Sequence, residues 1–188
     1  MVIERLEIAD VLLITPKRYG DARGWFSETY REDRLAEMGF GGRFVQDNHS
    51  LSGPAGTLRG LHFQRPPHSQ DKLVRVVRGA VLDVAVDIRN GSPTWGKCVA
   101  EELSAENGKH LLVPKGFLHG FVTLEPDTEV VYKVSDYYAP ECDAGVLWND
   151  PALDIDWGEV ANPLLSEKDQ CLPLLAELPV DLFPYGVY

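Results

Sequence analysis

Apolar residues recur at every second position over short runs of this chain, and turn-forming residues separate the runs. The clearest run covers residues 81–88. Leu82, Val84, Val86 and Ile88 share one face, while Val81, Asp83, Ala85 and Asp87 share the other. Residues 72–78, 96–103, 110–113 and 129–134 read as further strands. Asn90-Gly91-Ser92-Pro93, Asn107-Gly108 and Pro114-Lys115-Gly116 stand between them as turn chemistry. Short strands at this spacing predict an all-β sandwich or closed barrel rather than βαβ units. Helical patterning is sparse. Residues 32–38 suit about two turns ended by Gly39. A second helix begins near Ser166, whose spacing to Asp169 matches a capping box, and Pro173 limits its length. No internal repeat, low-complexity tract or linker interrupts the pattern. The reading is one domain over 1–188, with an extended N-terminal arm (1–30) and an irregular C-terminal tail (160–188) rich in Pro and Leu.

Composition narrows the function classes. A chain of 188 residues with 44% hydrophobic content can bury a substantial core. No apolar run approaches the ~20 residues needed to span a bilayer. The opening residues mix acidic and apolar side chains, unlike a signal peptide, so a cytoplasmic location is expected. Cys98, Cys142 and Cys171 are widely spaced, with neither a CxxC pair nor a metal-ligand spacing, and read as reduced thiols. The net charge of −11 argues against nucleic acid as a partner. It also means that a phosphorylated ligand needs a local cluster of cations against the overall field.

Candidate chemistry concentrates at residues 57–64, TLRGLHFQ, where charged and polar groups sit inside a strand-like run. His62 and His119 each lie in an apolar segment beside glycines that permit close approach of backbone or ligand, which points to function. His49, His68 and His110 have no such context and read as surface or hydrogen-bonded structural groups. Pro114-x-Gly116-x-x-His119 is the second half of a cupin-type pattern. Metal-binding cupins place two histidines and a glutamate in the first half. This chain has only His62 there, with Arg59 and Lys72 nearby, and cations repel a divalent metal. No metal site and no cofactor are expected.

Tyr132 has two readings, a barrel-filling aromatic or a general acid. A reference pKa of ~10 keeps a tyrosine protonated at neutral pH, while a histidine near ~6.5 is available as a base. Such a pair suits removal of a proton from one face of a carbon and delivery to the other. Asp169 either satisfies backbone donors in the box begun by Ser166 or orients an imidazole. Arg59 and His62 have opposite parity, so both can line one pocket only if the strand bulges, most plausibly at Gly60.

Arg23-Gly24-x-Phe26, Gln46-Asp47-Asn48, Leu58-Arg59-Gly60-Leu61-His62-Phe63-Gln64, Lys72-Leu73-Val74, Pro114-x-Gly116-Phe117-x-His119-Gly120-Phe121, Tyr132 and Ser166-x-Lys168-Asp169 occur in this order. The set closely resembles the dTDP-4-dehydrorhamnose 3,5-epimerase family, over nearly the whole chain to about Asp169. The resemblance implies a cupin jelly roll without metal, usually a homodimer that exchanges its N-terminal strands. It implies dTDP-4-keto-6-deoxy-D-glucose as substrate and epimerisation at C3 and C5. By position, His62 matches the general base, Asp169 its dyad partner and Tyr132 the proton donor. Lys72 matches the cation near the C4 oxygen. Arg23, Phe26, Glu28, Gln46, Asp47, Asn48, Arg59, His119 and Lys168 match substrate- or nucleotide-binding positions, and Tyr138 the aromatic that stacks on thymine. Asp143 stands where many relatives carry glutamate. Two rivals stay open: an epimerase acting on a single carbon, and a non-catalytic cupin that binds a sugar nucleotide.

Overall fold

The computed structural model describes residues 1–160 and 162–187; Ala161 and Tyr188, both in the expected tail, lie outside the described residues. The strands run in chain order as β1 (Val2–Arg5), β2 (Leu12–Thr15), β3 (Arg18–Asp21), β4 (Gly24–Ser27), β5 (Gln46–Ser52), β6 (Leu58–Gln64) and β7 (Lys72–Arg78). They continue as β8 (Ala80–Asp87), β9 (Cys98–Ser104), β10 (His110–Val113), β11 (Phe117–Thr123), β12 (Thr128–Val134) and β13 (Asp143–Gly145). Helix α1 (Glu32–Glu37) follows β4, and α2 (Glu167–Gln170) lies in the C-terminal segment.

Two antiparallel sheets form the cupin-type jelly roll. One has the order β1-β2-β10-β7-β12-β5 and the other β13-β6-β11-β8-β9. Leu13, Val74, Val76, Leu111 and Val130 of the first sheet pack against Val81, Ala85, Leu103, Phe117 and Phe121 of the second. Burying each such side chain contributes roughly 1.5–3 kcal/mol, so the two inner faces hold the sheets together. Period-2 parity then decides which polar groups enter the interior. Lys72 shares a face with Val74 and Val76, Tyr132 with Val130 and Val134, and His119 with Phe117 and Phe121.

The outer faces are covered as well. Leu35 of α1 packs with Leu12, Ile14, Leu73 and Leu112 on the six-stranded sheet. Over the other sheet, Val146, Leu153, Trp157, Leu175 and Phe183 cover Leu58, Leu61, Phe63, Val84 and Val86. The alternation at residues 81–88 therefore separates two buried environments. Its Leu/Val face lies under the C-terminal segment, and its Asp83/Asp87 face is inside the roll, both carboxylates having no exposed surface. The described residues of the C-terminal segment form α2 and a short 3₁₀ turn, and Phe183 is buried and meets Phe63 edge-to-face at 5.7 Å.

In the N-terminal segment β1 and β2 pair within the six-stranded sheet, with Leu12, Leu13 and Ile14 buried, and the β3–β4 hairpin projects. One expectation needs correction. His110, expected at the surface or hydrogen-bonded, is buried on the outer face beside Arg75, and its Nδ1 has no hydrogen-bond partner. Parity explains this: Leu111 and Val113 point into the core, so His110 must point out, where covering chain encloses it.

Burial and the neighbouring Arg75 push the His110 pKa down to about 4. The unfolded chain, with an ordinary imidazole, binds the extra proton first, so stability is lost as pH falls from about 6.5 towards 4. The prediction is that His110→Phe loses about 1–2 kcal/mol less than the parent between pH 7 and 5 in urea denaturation. Parallel pH profiles would contradict it.

Candidate active site

The site starts with an irregularity in β6. His62 pairs with His119 and Arg59 with Phe121, so the step from Arg59 to His62 on β6 is one residue longer than its counterpart on β11. The extra residue turns Arg59 and His62 to the same side, and Gly60 is where it sits, as the parity conflict required. Gly60 has φ +133°, and a Cβ there would meet the Gly120 Cα at 2.6 Å, so both glycines are needed for the close approach of the strands.

His62 Nε2 lies 2.6 Å from Asp169 Oδ1. Asp169 arrives on α2, where Ser166 Oγ accepts the Asp169 backbone N–H at 3.1 Å as the N-cap. The Asp169 carboxylate is thus not consumed by the cap. It turns inward to His62, and the Gly60 N–H also points to it at 3.4 Å. Burial opposes its charge, but hydrogen bonds from His62, Gly60 and Ser166 act the other way and hold its carboxyl below the usual range. An ionised carboxylate can only accept, so Nε2 donates in this contact and in the neutral ring Nδ1 carries the lone pair.

Lys72 extends across the interior and donates to the His62 carbonyl at 3.3 Å. Burial pulls its pKa down to about 8, against the charges of Asp83 and Asp143, which raise it. Tyr132 is pushed up by burial, with Arg59 acting in the opposite sense, and so keeps its proton at neutral pH. Arg59 donates to Ser52 Oγ and the Leu51 carbonyl and has no carboxylate partner among the described residues. Arg59, His62, Lys72, His119, Tyr132, Lys168 and Asp169 all line one cavity of about 560 Å³. His62, Lys72, Tyr132 and Lys168 also line an adjoining cavity of about 230 Å³, closed by Gln46, Asn48, Tyr138 and Asp143. There Gln46 donates to Asn48 at 2.9 Å, and Tyr138 Oη donates to Asp143 at 3.2 Å. Lys168 pairs with the same Asp143 oxygen at 2.5 Å.

Four sequence-selected residues lie elsewhere. Arg23, Phe26 and Glu28 sit on or beside the projecting hairpin and line neither cavity; Arg23 pairs with Asp21, and Phe26 is 70% exposed. Asp47 has the opposite parity to Gln46 and Asn48 and is held on the outer face by Lys133 at 2.8 Å. Sequence reasoning missed Asp83, which meets the His119 Nε2 at 2.9 and 3.1 Å inside the roll. Its parity with Val81 and Ala85 was the available signal. It missed Gln64 too, which is buried and braces the backbone of His68, Tyr137 and Ala139. Among the described residues no group of three or more His, Cys, Asp or Glu side chains could hold a metal ion, and no helix is long and apolar enough to cross a membrane.

Comparison with known proteins agrees over the full length of this arrangement. The family profile described as dTDP-4-dehydrorhamnose 3,5-epimerase matches residues 5–177. A protein of that name from Sinorhizobium fredii is 53% identical over 184 residues, covering 96% of this chain and 92% of the relative. The Bacillus anthracis dTDP-4-dehydrorhamnose 3,5-epimerase, solved with TDP and PPi bound, superposes with a TM-score of 0.89 at 50% identity, over 92% of this chain and 98% of that one. The Legionella pneumophila dTDP-6-deoxy-D-glucose-3,5-epimerase in complex with dTDP-4-keto-L-rhamnose gives 0.92 at 45% identity, over 97% of each chain. With its bulged strand, its His–Asp contact and these relatives, the chain belongs to the dTDP-4-dehydrorhamnose 3,5-epimerase family.

Proposed function

We propose that this protein epimerises C3 and C5 of dTDP-4-keto-6-deoxy-D-glucose, giving dTDP-4-keto-L-rhamnose for dTDP-L-rhamnose synthesis. The observation that carries the reading is the convergence of His62, Tyr132 and Lys72 on one cavity. Both carbons flank the C4 ketone, so loss of either proton gives an enolate whose charge collects on the C4 oxygen. His62, with Asp169 on Nε2, takes that proton at Nδ1. Tyr132 returns one from the other side of the ring. Lys72 stabilises charge that exists mainly in the transition state and intermediate. Arg59 and Lys168 supply the local cations that an acidic chain needs to hold a diphosphate.

The protein works as a homodimer in this reading. Arg23, Phe26 and Glu28 cannot serve the cavity of their own chain, and the hairpin that carries them exposes Tyr19, Trp25 and Phe26, an apolar surface suited to a second copy. Three free cysteines suit a cytoplasmic setting.

Solvent deuterium is expected at both C3 and C5 of the 4-keto sugar nucleotide; label at a single carbon would assign a mono-epimerase. Ligand binding without any exchange would assign a binding protein. His62→Ala should lower exchange by ~10²–10⁴-fold. It should leave dTDP affinity nearly intact, whereas a matching loss of dTDP binding would make His62 a binding or structural group. Because Lys72 must be charged to act and titrates at about 8, kcat should fall as pH rises through that value. Lys72→Gln should remove that limb and lower kcat by ~10²–10³-fold. A parent profile that stays flat to roughly 1.5 pH units above that value would exclude Lys72.

A further inference from the structure

Two carboxylates on β8 face the interior with no exposed surface, Asp83 and Asp87, and their surroundings differ sharply. Asp87 is saturated: it accepts from Arg89 through Nε and Nη2 and from the hydroxyls of Ser92 and Thr94. That is how a structural carboxylate is kept buried. Asp83 has one hydrogen-bond partner among the described residues, the Nε2 of His119 at 2.9 and 3.1 Å. Its other electrostatic neighbour is Lys72. A buried charge with such thin support is costly unless the site uses it.

We propose that Asp83 is a positioning residue of the epimerase site: it accepts a hydrogen bond from the Nε2–H of His119, so that the Nδ1 of this imidazole accepts a hydrogen bond from a sugar hydroxyl, and its charge holds Lys72 as an ammonium. The assignment rests on the function proposed above. Burial favours the neutral form of His119; the Asp83 carboxylate acts in the opposite sense, but with Lys72 and His62 also beside the ring its pKa lies below the ordinary imidazole value. A neutral ring with Nε2–H on a carboxylate has Nδ1 as its only acceptor. The groups facing Lys72 and His119 are Asp83 from β8, His62 from β6 and Asp143 from β13, and Arg59 and Tyr132 line the same cavity. Asp83 is the carboxylate common to Lys72 and His119, whereas His62 has Asp169 of its own and Asp143 is already paired with Lys168.

Two measurements test this. In the wild-type protein, ¹⁵N histidine NMR should show His119 with Nε2 protonated and Nδ1 bare at and around pH 7; the opposite tautomer, or an imidazolium there, would overturn the assignment. Asp83→Asn keeps the shape and removes the charge. It should lower kcat by about 10–100-fold with dTDP affinity unchanged. The alkaline limb of kcat should also move below its parental position near pH 8, because Lys72 loses a charge that raises its pKa. An unmoved limb, or equal losses of turnover and dTDP binding, would make Asp83 merely structural. The NMR readout does not depend on turnover and decides the point if the variant fails to fold. A wild-type protein that exchanged no protons would count against the proposed function, not against this tautomer.

Discussion

The hydrogen bond between His62 and Asp169 is the contact on which the site depends, and it joins residues 107 positions apart. One end stands on a strand whose bulge sets the direction of the imidazole. The other is delivered by a four-residue helix with little stability of its own. What holds that helix in place is the apolar covering of the five-stranded sheet, in which Trp157, Leu175 and Phe183 bury themselves beyond and before it. Core packing on one side of the sheet therefore fixes an acid–base pair on the other. Because hydrogen bonding holds the Asp169 carboxyl low, its share of stability is present above the ordinary carboxylate range and fades as pH falls through it.

Much of this was legible from period and parity. Residues 72–78 and 110–113 read as strands with the observed bounds, and the parity conflict between Arg59 and His62 places the bulge at Gly60 from the sequence alone. Alternation alone does not say what each face meets, however. An acid in an alternating strand looks the same whether it faces solvent or the interior of a roll, which is why Asp83 passed unnoticed. His110 was misread for the same reason: the sheet's outer face is closed by chain from distant positions, and nothing local to residue 110 records that. Asp47 shows the limit of reading motifs as blocks, since neighbours in Gln46-Asp47-Asn48 must point to opposite sides of β5.

The charge distribution follows from the same geometry. A chain of net charge −11 places Arg59, Lys72 and Lys168 around adjoining cavities, two of them without a carboxylate within ion-pair distance among the described residues. The acidic exterior keeps anions away in general, and the cavity is the local exception. Burial lowers the proton affinity of the central ammonium, and carboxylates on β8 and β13 restore part of it.

The dependence of His62 on α2 also has a consequence for biosynthesis. Strands β1 to β13 account for both sheets by residue 145, yet the apolar cover of the five-stranded sheet comes from residues translated after it. The His62 imidazole has no carboxylate until residue 169 emerges, and the helix bearing that group has no apolar clamp until Leu175 and Phe183 follow. A nascent chain stalled before residue 169 therefore lacks the partner of its imidazole and part of the apolar cover of one sheet at once, so site completion and closure of that sheet come in the same stretch of synthesis.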